Sequence, residues 1–149
     1  MKVRNVIEDD YYKVIDVIND WWGGREMTHL LPRLFFDHFQ QSSFVVEEDN
    51  NELAAFLIGF VSQTHPDEGY IHFIGVNPEL RNRGIARELY RQFFQTVRNL
   101  GCEKVKCITS PVNESSVSFH KSLGFSVSLG RDYAGLGQDR ILFSKFIGS

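Results

Sequence analysis

Cysteine is scarce in this 149-residue chain: Cys102 and Cys107 are the only two, they form no CxxC pair, and neither has a neighbouring histidine. That excludes a disulfide scaffold, a zinc ribbon and a thioredoxin-like redox motif, so no metal site is expected and both thiols are read as reduced side chains flanking or inside a strand. Long apolar runs are lacking as well. The longest, Leu53 to Val61 with Gly59 inside it, is nine residues, against the ~20 a membrane-spanning helix requires. Met1 leads into Lys2-Val3-Arg4-Asn5 with no apolar stretch of the kind a signal peptide carries, and the expectation is a cytoplasmic protein with no membrane partner.

An excess of positive charge is also missing. The formal net charge is -3, which argues against general affinity for nucleic acid. The total conceals an asymmetry. Residues 1–52 carry five Lys/Arg against eleven Asp/Glu, whereas residues 79–106 carry seven basic side chains against three acidic ones. One segment is therefore suited to an anion within an otherwise acidic chain. The aromatic residues of that segment, Tyr90, Phe93 and Phe94, fall mostly on the apolar face of a helix and form no stacking platform for bases.

What is present is an ordinary globular balance, 42% hydrophobic and 23% charged, enough for one compact domain over residues 1–149. Thirteen phenylalanines add apolar payload to its core. No repeat, low-complexity run or flexible linker interrupts the chain. Lys2 to Val6 reads as a strand, and Glu8-Asp9-Asp10 as the acidic start of a helix bearing Tyr11, Val14, Ile15 and Ile18 on one face. Trp21-Trp22-Gly23-Gly24-Arg25 breaks that helix. Thr28 is positioned to cap a second helix through Leu31, Phe35, Phe36 and Phe39. Ser43 to Glu48 and Glu52 to Gln63 read as a hairpin around Asp49-Asn50-Asn51, followed by a strand from Tyr70 to Val76. Ile85, Leu89, Phe93, Val97 and Leu100 then recur at helical spacing until Gly101. A strand from Lys104 to Thr109, a helix from Asn113 to Leu123 and two closing strands, Phe125 to Leu129 and Arg140 to Ile147, complete an α/β chain with a mixed sheet in the order β-α-α-β-β-β-α-β-α-β-β.

The most informative segment runs from Val76 to Ala86, between a buried strand and an amphipathic helix. A helix N-terminus offers unpaired N–H groups and partial positive charge, a natural seat for phosphate. Gly84 lets the backbone approach a ligand, Ala86 leaves the first turn unobstructed, and Arg81, Arg83 and Arg87 add formal charge. A plain reading, an arginine-rich solvent-facing turn with Gly84 serving a bend, stands beside this one. The segment is neither a dinucleotide fingerprint nor a P-loop, since GxGxxG and GK[ST] are both absent.

Arg81-Asn82-Arg83-Gly84-Ile85-Ala86 resembles motif A, the R/Q-x-x-G-x-G/A pyrophosphate loop of the GCN5-related N-acetyltransferases (GNAT). Asn113-Glu114-Ser115-Ser116-Val117-Ser118-Phe119-His120-Lys121-Ser122-Leu123-Gly124-Phe125 is similar to that family's motif B. The resemblance covers essentially the whole chain and implies a GNAT acyl-CoA N-acyltransferase fold, opened into a V by a bulge in the fourth strand, with acetyl-CoA (coenzyme A) between the fourth and fifth strands. It further implies that the backbone at Ile74 and Val76 meets the pantetheine arm and that the amides of Asn82, Arg83, Gly84, Ile85, Ala86 and Arg87, with Arg81, meet the pyrophosphate. Asn113 would meet the pantetheine region or serve as a helix cap, Phe119 would flank the cofactor and Lys121 would reach a phosphate.

The activity implied is transfer of an acetyl group to an amine by direct attack in a ternary complex; the alternative is a non-catalytic acyl-CoA-binding sensor or partner-binding domain. The family's usual acid, a tyrosine of motif B, is replaced by His120, whose unperturbed pKa of ~6.5 suits proton donation near neutrality. Tyr133, in the loop before the last strand, is a second candidate acid. His72 stands where a basic residue of the fourth strand would relay the amine's proton; strict alternation puts it on one face with Tyr70 and Ile74, opposite Ile71 and Phe73. Each histidine has a plain alternative as a packed, satisfied side chain. Trp21, Trp22 and Arg25 are the candidates for lining an acceptor pocket. The acceptor is a small-molecule or peptide amine, and the protein a monomer or homodimer; Arg25 suits an acceptor carboxylate, while the acidic N-terminal third favours a polycation.

Overall fold

The nine-residue apolar run forms strand β3 (Leu53–Val61), whose residues Ala54 to Ile58 are wholly inaccessible. An unalternating apolar strand is what a sheet needs where helices cover both faces. In the computed structural model, which describes residues 1–148, β3 lies inside a seven-stranded sheet ordered β1-β2-β3-β4-β5-β7-β6. Its other members are β1 (Lys2–Asn5), β2 (Phe44–Glu47), β4 (Glu68–Val76), β5 (Lys104–Thr109), β6 (Ser126–Gly130) and β7 (Arg140–Phe146). Neighbours are antiparallel except β4 and β5, which run parallel. Helices α1 (Asp10–Trp21), α2 (Leu34–His38), α3 (Ile85–Asn99) and α4 (Glu114–Ser122) complete the expected order. No helix among the described residues is long and apolar enough to cross a membrane.

Two cores flank the sheet. On one face Leu89, Tyr90, Phe93 and Val97 of α3 meet Leu57, Ile71, Val105, Cys107 and Phe143. On the other, Val14, Ile18 and Trp21 of α1, with Leu31 and Phe36, meet Val45, Phe56 and Ile58. This second layer leaves the outward face of β5, β7 and β6 uncovered by any helix of the described chain. Gly59, on β3, admits the α3 layer: a β-carbon there would stand 2.5 Å from the Phe93 ring and 2.8 Å from the Tyr70 carbonyl oxygen. Gly59→Ala is expected to cost about 1–3 kcal/mol, the usual range for overpacking, read as a lower urea midpoint at unchanged slope.

The largest departure from the sequence-based elements lies between Thr28 and Phe39. Thr28 to Phe39 is not one helix but a 3-10 turn at Thr28–Leu30, the five-residue α2 and a second 3-10 turn at Gln40–Ser42. Pro32 explains the break, since it restricts the residue before it; Leu31 adopts φ -135°, ψ 65°. β4 also begins earlier than Tyr70, at Glu68, because Glu68 and Gly69 pair with Lys104 and Val105.

Candidate active site

β4 and β5 pair only over Glu68–Tyr70 and Lys104–Lys106. Beyond that point β4 stays on β3 as far as Val76, and β5 stays on β7 as far as Thr109, so the two part and leave a gap. The Asn77 amide donates to the Ala54 carbonyl at 2.9 Å. Stepping back two residues at a time along the antiparallel ladder, Gly75 and Phe73 bond to β3, while the N–H and C=O groups of Ile74 and Val76 turn into the gap.

A bulge lies at the vertex of this gap. Ile58 pairs with Phe73 and Gly59 with Ile71, leaving His72 as the extra residue. The insertion overrides strict alternation: Phe73 joins Trp22 and Phe56 on the α1 face, whereas Ile74 packs against the α3 core. Ile74 is therefore not on the face of Tyr70 and His72. The His72 ring stacks on Phe35, with centroids 4.4 Å apart and planes at 10°, and its Nε2 lies 2.6 Å from the Leu30 carbonyl oxygen. A carbonyl can only accept, so Nε2 carries a proton, and in the neutral ring Nδ1 presents the lone pair.

At the far end of β4, the Asn77 side chain accepts from the Glu79 amide at 3.0 Å and holds the 3-10 turn Pro78–Leu80. Asn82 and Gly84 both take left-handed backbone conformations, φ 67° and 77°. Gly84 is the N-cap of α3, and the space where its β-carbon would stand is open. The first amides of α3 thus face solvent beside exposed Arg81, Asn82, Arg83 and Arg87, with Ile85 buried and Ala86 half-buried. Those residues suit a diphosphate on chemistry as well as sequence. A groove of about 330 Å³ continues from Gly84 along Arg87, Arg91 and Phe94 to Leu123. Arg87 donates to the Ser122 hydroxyl at 3.2 Å, tying α3 to α4.

Asn113 caps α4, its side-chain oxygen accepting from the Ser116 amide at 3.2 Å. Phe119 is half-buried, edge-on to Tyr90, and Lys121 is exposed. His120 is 5% exposed and stacks on Phe143 at 4.0 Å. Its Nδ1 lies 2.7 Å from the Ser116 carbonyl oxygen and its Nε2 2.8 Å from the Tyr90 hydroxyl. Nδ1 therefore donates and Nε2 accepts from Tyr90. Burial lowers its pKa, outweighing the opposing Ser116 bond. The expectation of a proton donor at His120 thus meets a neutral ring with both nitrogens engaged inside the protein.

On the outward face a cleft of about 270 Å³ is lined by Tyr70, Lys106, Ile108, Ser126, Ser128, Leu142, Ser144 and Tyr133, with Cys107 and Phe143 at its floor. Tyr133 is 54% exposed at its lip. Burial, then Tyr133 and Cys107, push the Tyr70 hydroxyl up to about 12. Burial also pushes the Cys107 thiol up to about 12, so it is protonated at neutrality and no nucleophile. The tryptophan pair is divided: Trp21 is buried against Phe56, whereas Trp22 is half-buried, lying on Gly75 and Phe73 of β4. Only Trp22 borders the site. Arg25 is exposed on the turn after α1.

Comparison with known proteins decides the family, since the profile described as "Acetyltransferase (GNAT) family" matches residues 10–125. The chain belongs to the GNAT acetyltransferase family. It is similar to N-alpha-acetyltransferase 30 of Schizosaccharomyces pombe, with 28% identity over 94 residues that span 62% of this chain and 63% of that protein. The match thus covers less than two thirds of that relative's length. Its fold is that of Chaetomium thermophilum Naa20 solved with a bisubstrate analogue, at TM-score 0.80 and 19% identity over 98% of this chain and 86% of that one. It is likewise that of Paenibacillus lautus diaminobutyrate acetyltransferase EctA, solved with L-2,4-diaminobutyric acid and coenzyme A, at TM-score 0.75 and 18% identity over 96% and 92%.

Within this GNAT chain, sequence reasoning overlooked Tyr90 as the partner of His120, Leu30 and Phe35 as the groups that orient His72, and Lys106 with Tyr70 as cleft residues. Each depends on a contact across strands, helices or loops. The nearest usable signal was period 2 on β5, which sets Lys104, Lys106 and Ile108 on one face.

Proposed function

We propose that the protein is an acetyl-CoA-dependent N-acetyltransferase that passes the acetyl group directly to a small-molecule or peptide amine in a ternary complex, in the cytoplasm. The observation that carries this is the parting of β4 from β5 beyond Tyr70 and Lys106, which leaves the backbone groups of Ile74 and Val76 free to bond an extended chain as an added strand would. Gly84 and the first amides of α3 stand ready for a diphosphate, with Arg81, Arg83 and Arg87 beside them. When bound, acyl-CoA supplies an activated thioester carbonyl.

The chain's part is positioning and proton handling. His72 accepts the amine's proton at Nδ1, directly or through water, while the Leu30 carbonyl holds Nε2–H and Phe35 fixes the ring plane. Backbone N–H groups at the bulge stabilise the developing oxyanion. Tyr133 returns a proton to the departing thiolate, a role that suits its place at the lip of the outward cleft better than it suits the enclosed His120. His120 fastens α4 to α3 through Tyr90. Asn113, Phe119 and Lys121 flank the cofactor on α4, and Trp22 and Arg25 border the acceptor.

Thiol release tests the reading against a non-catalytic acyl-CoA sensor. The protein is incubated with acetyl-CoA and a panel of amines, amino acids, polyamines and peptides; acceptor-dependent release of coenzyme A above hydrolysis is expected. Binding of coenzyme A with no stimulation by any acceptor would overturn the enzyme in favour of the sensor.

A further inference from the structure

The two clues to the acceptor, Arg25 and the acidic N-terminal third, pull in opposite directions, and the outward cleft decides between them. Its lining holds one cation, Lys106, and no carboxylate. Glu68 shares the outward face of β4 with Tyr70 and is already engaged, 3.0 Å from the Lys106 ammonium and 3.8 Å from that of Lys104. Of the acidic residues in the N-terminal third, Asp10 and Glu47 are bound by Arg4 and Asp37 by Arg33, so these three are not free for a polycation.

The hydroxyls of the cleft tell the same story. Ser126 donates to the Ser144 carbonyl at 3.0 Å, but the hydroxyls of Ser128, Ser144, Tyr70 and Tyr133 make no hydrogen bond among the described residues. An ammonium has three N–H donors, and Glu68 occupies one of those on Lys106. The remainder, with the free hydroxyls, which can donate as well as accept, line a space that offers no counter-charge to a second amine.

Lys106 pairs in register with Tyr70, two residues before His72 on β4. That sets the two residues about 7 Å apart along the sheet, a backbone spacing on the scale of a small amino acid with a hydrogen bond of about 3 Å at each end. We infer that the acceptor is an amine bearing a carboxylate, an amino acid rather than a polyamine, with its carboxylate seated on Lys106 and the hydroxyls of Ser128 and Ser144 while its amine faces His72. This rests on the proposed acetyltransfer for the amine's position, but the carboxylate seat stands on the cleft itself.

The test compares small amino acids with their carboxamides and with spermidine, by acetyl transfer and by calorimetric titration into the full protein preloaded with coenzyme A. Amino acids are expected to exceed their carboxamides by about 10-fold to 100-fold in kcat/KM, the range for one charge-assisted hydrogen bond, and Lys106→Gln to erase that preference. The acid-against-amide comparison needs no variant, so a poorly folding Lys106→Gln would leave it intact. Equal use of acids and amides, or preference for spermidine, would overturn the inference while leaving the acetyltransferase standing. Should no acceptor be acetylated, saturable binding of the acids that exceeds binding of the amides would uphold the carboxylate seat and sink the enzyme; no such binding would sink both.

Discussion

His72→Ala should lower kcat about 10²-fold to 10³-fold while leaving the affinity for coenzyme A within about threefold, because positioned proton transfer contributes on that scale. The argument is geometric. His72 is the residue that the β4 bulge inserts, and it sits at the vertex where β4 leaves β5. The Leu30 carbonyl at 2.6 Å fixes the tautomer and the Phe35 face fixes the plane, so Nδ1 is left to take a proton. His72→Gln sharpens the test: glutamine keeps a donor for Leu30 but has no basic nitrogen, so it should fall with alanine in turnover and not in cofactor binding. Both variants should regain activity as pH rises and the free amine deprotonates itself. The measurement is kcat against pH for wild type and both variants with one acceptor. Unchanged kcat in His72→Gln would remove His72 as the base.

How much of this could be read from the sequence follows the range of the interactions involved. The proposed seat for a diphosphate is local: a strand stop at Asn77-Pro78, a glycine at φ 77° and a helix start lie within nine residues, and each leaves its own mark in sequence. The same holds for α3, whose apolar positions repeat at helical spacing. The break at Pro32 also had a local cause, outweighed by the spacing of Leu31, Phe35, Phe36 and Phe39 in the sequence reading. The bulge is different. The resemblance implied a bulge in the fourth strand but not its position; one inserted residue changes the face of every residue after it, and no composition marks where it falls, so alternation assigned Ile74 and Phe73 to the wrong faces. His120 shows the same limit from another side. Its position in motif B is legible, but its chemistry is set by Tyr90, 30 residues away on α3, and by the ring of Phe143 on β7. The net charge misleads for a related reason: Asp10 and Glu47 share one arginine and Asp37 takes another, so a count of acids in the N-terminal third overstates the charge left free for cations.

That shared arginine carries a large expected stability effect. Arg4 on β1 forks onto Asp10, with Nη1 at 2.8 Å and Nη2 at 2.9 Å from the two carboxylate oxygens, and its Nε reaches Glu47 of β2 at 2.7 Å. Asp10 is 1% exposed and also accepts the Ile7 amide at 2.8 Å, so it closes the turn into α1 and lies favourably at that helix's N-terminus. Removing one member of a buried pair costs ~3–5 kcal/mol because the other charge is stranded; with the Arg4 side chain a quarter exposed, about 3 kcal/mol is expected for Arg4→Ala at pH 7. The pH dependence gives the sign. Burial alone would raise the Asp10 carboxyl, but Arg4, the Ile7 amide and Lys13 together hold it below its ordinary 3.8. The pair therefore contributes fully above that value and loses its contribution as pH falls through the lower folded one. In Arg4→Ala, burial prevails and the folded pKa rises, so the variant favours a protonated Asp10 and the gap to wild type narrows on acidification. Urea unfolding of both proteins at pH 7 and near pH 4 measures this: a gap of about 3 kcal/mol that shrinks toward acid is expected, and a pH-independent gap under about 1 kcal/mol, the worth of an exposed pair, would show that Arg4 holds nothing together.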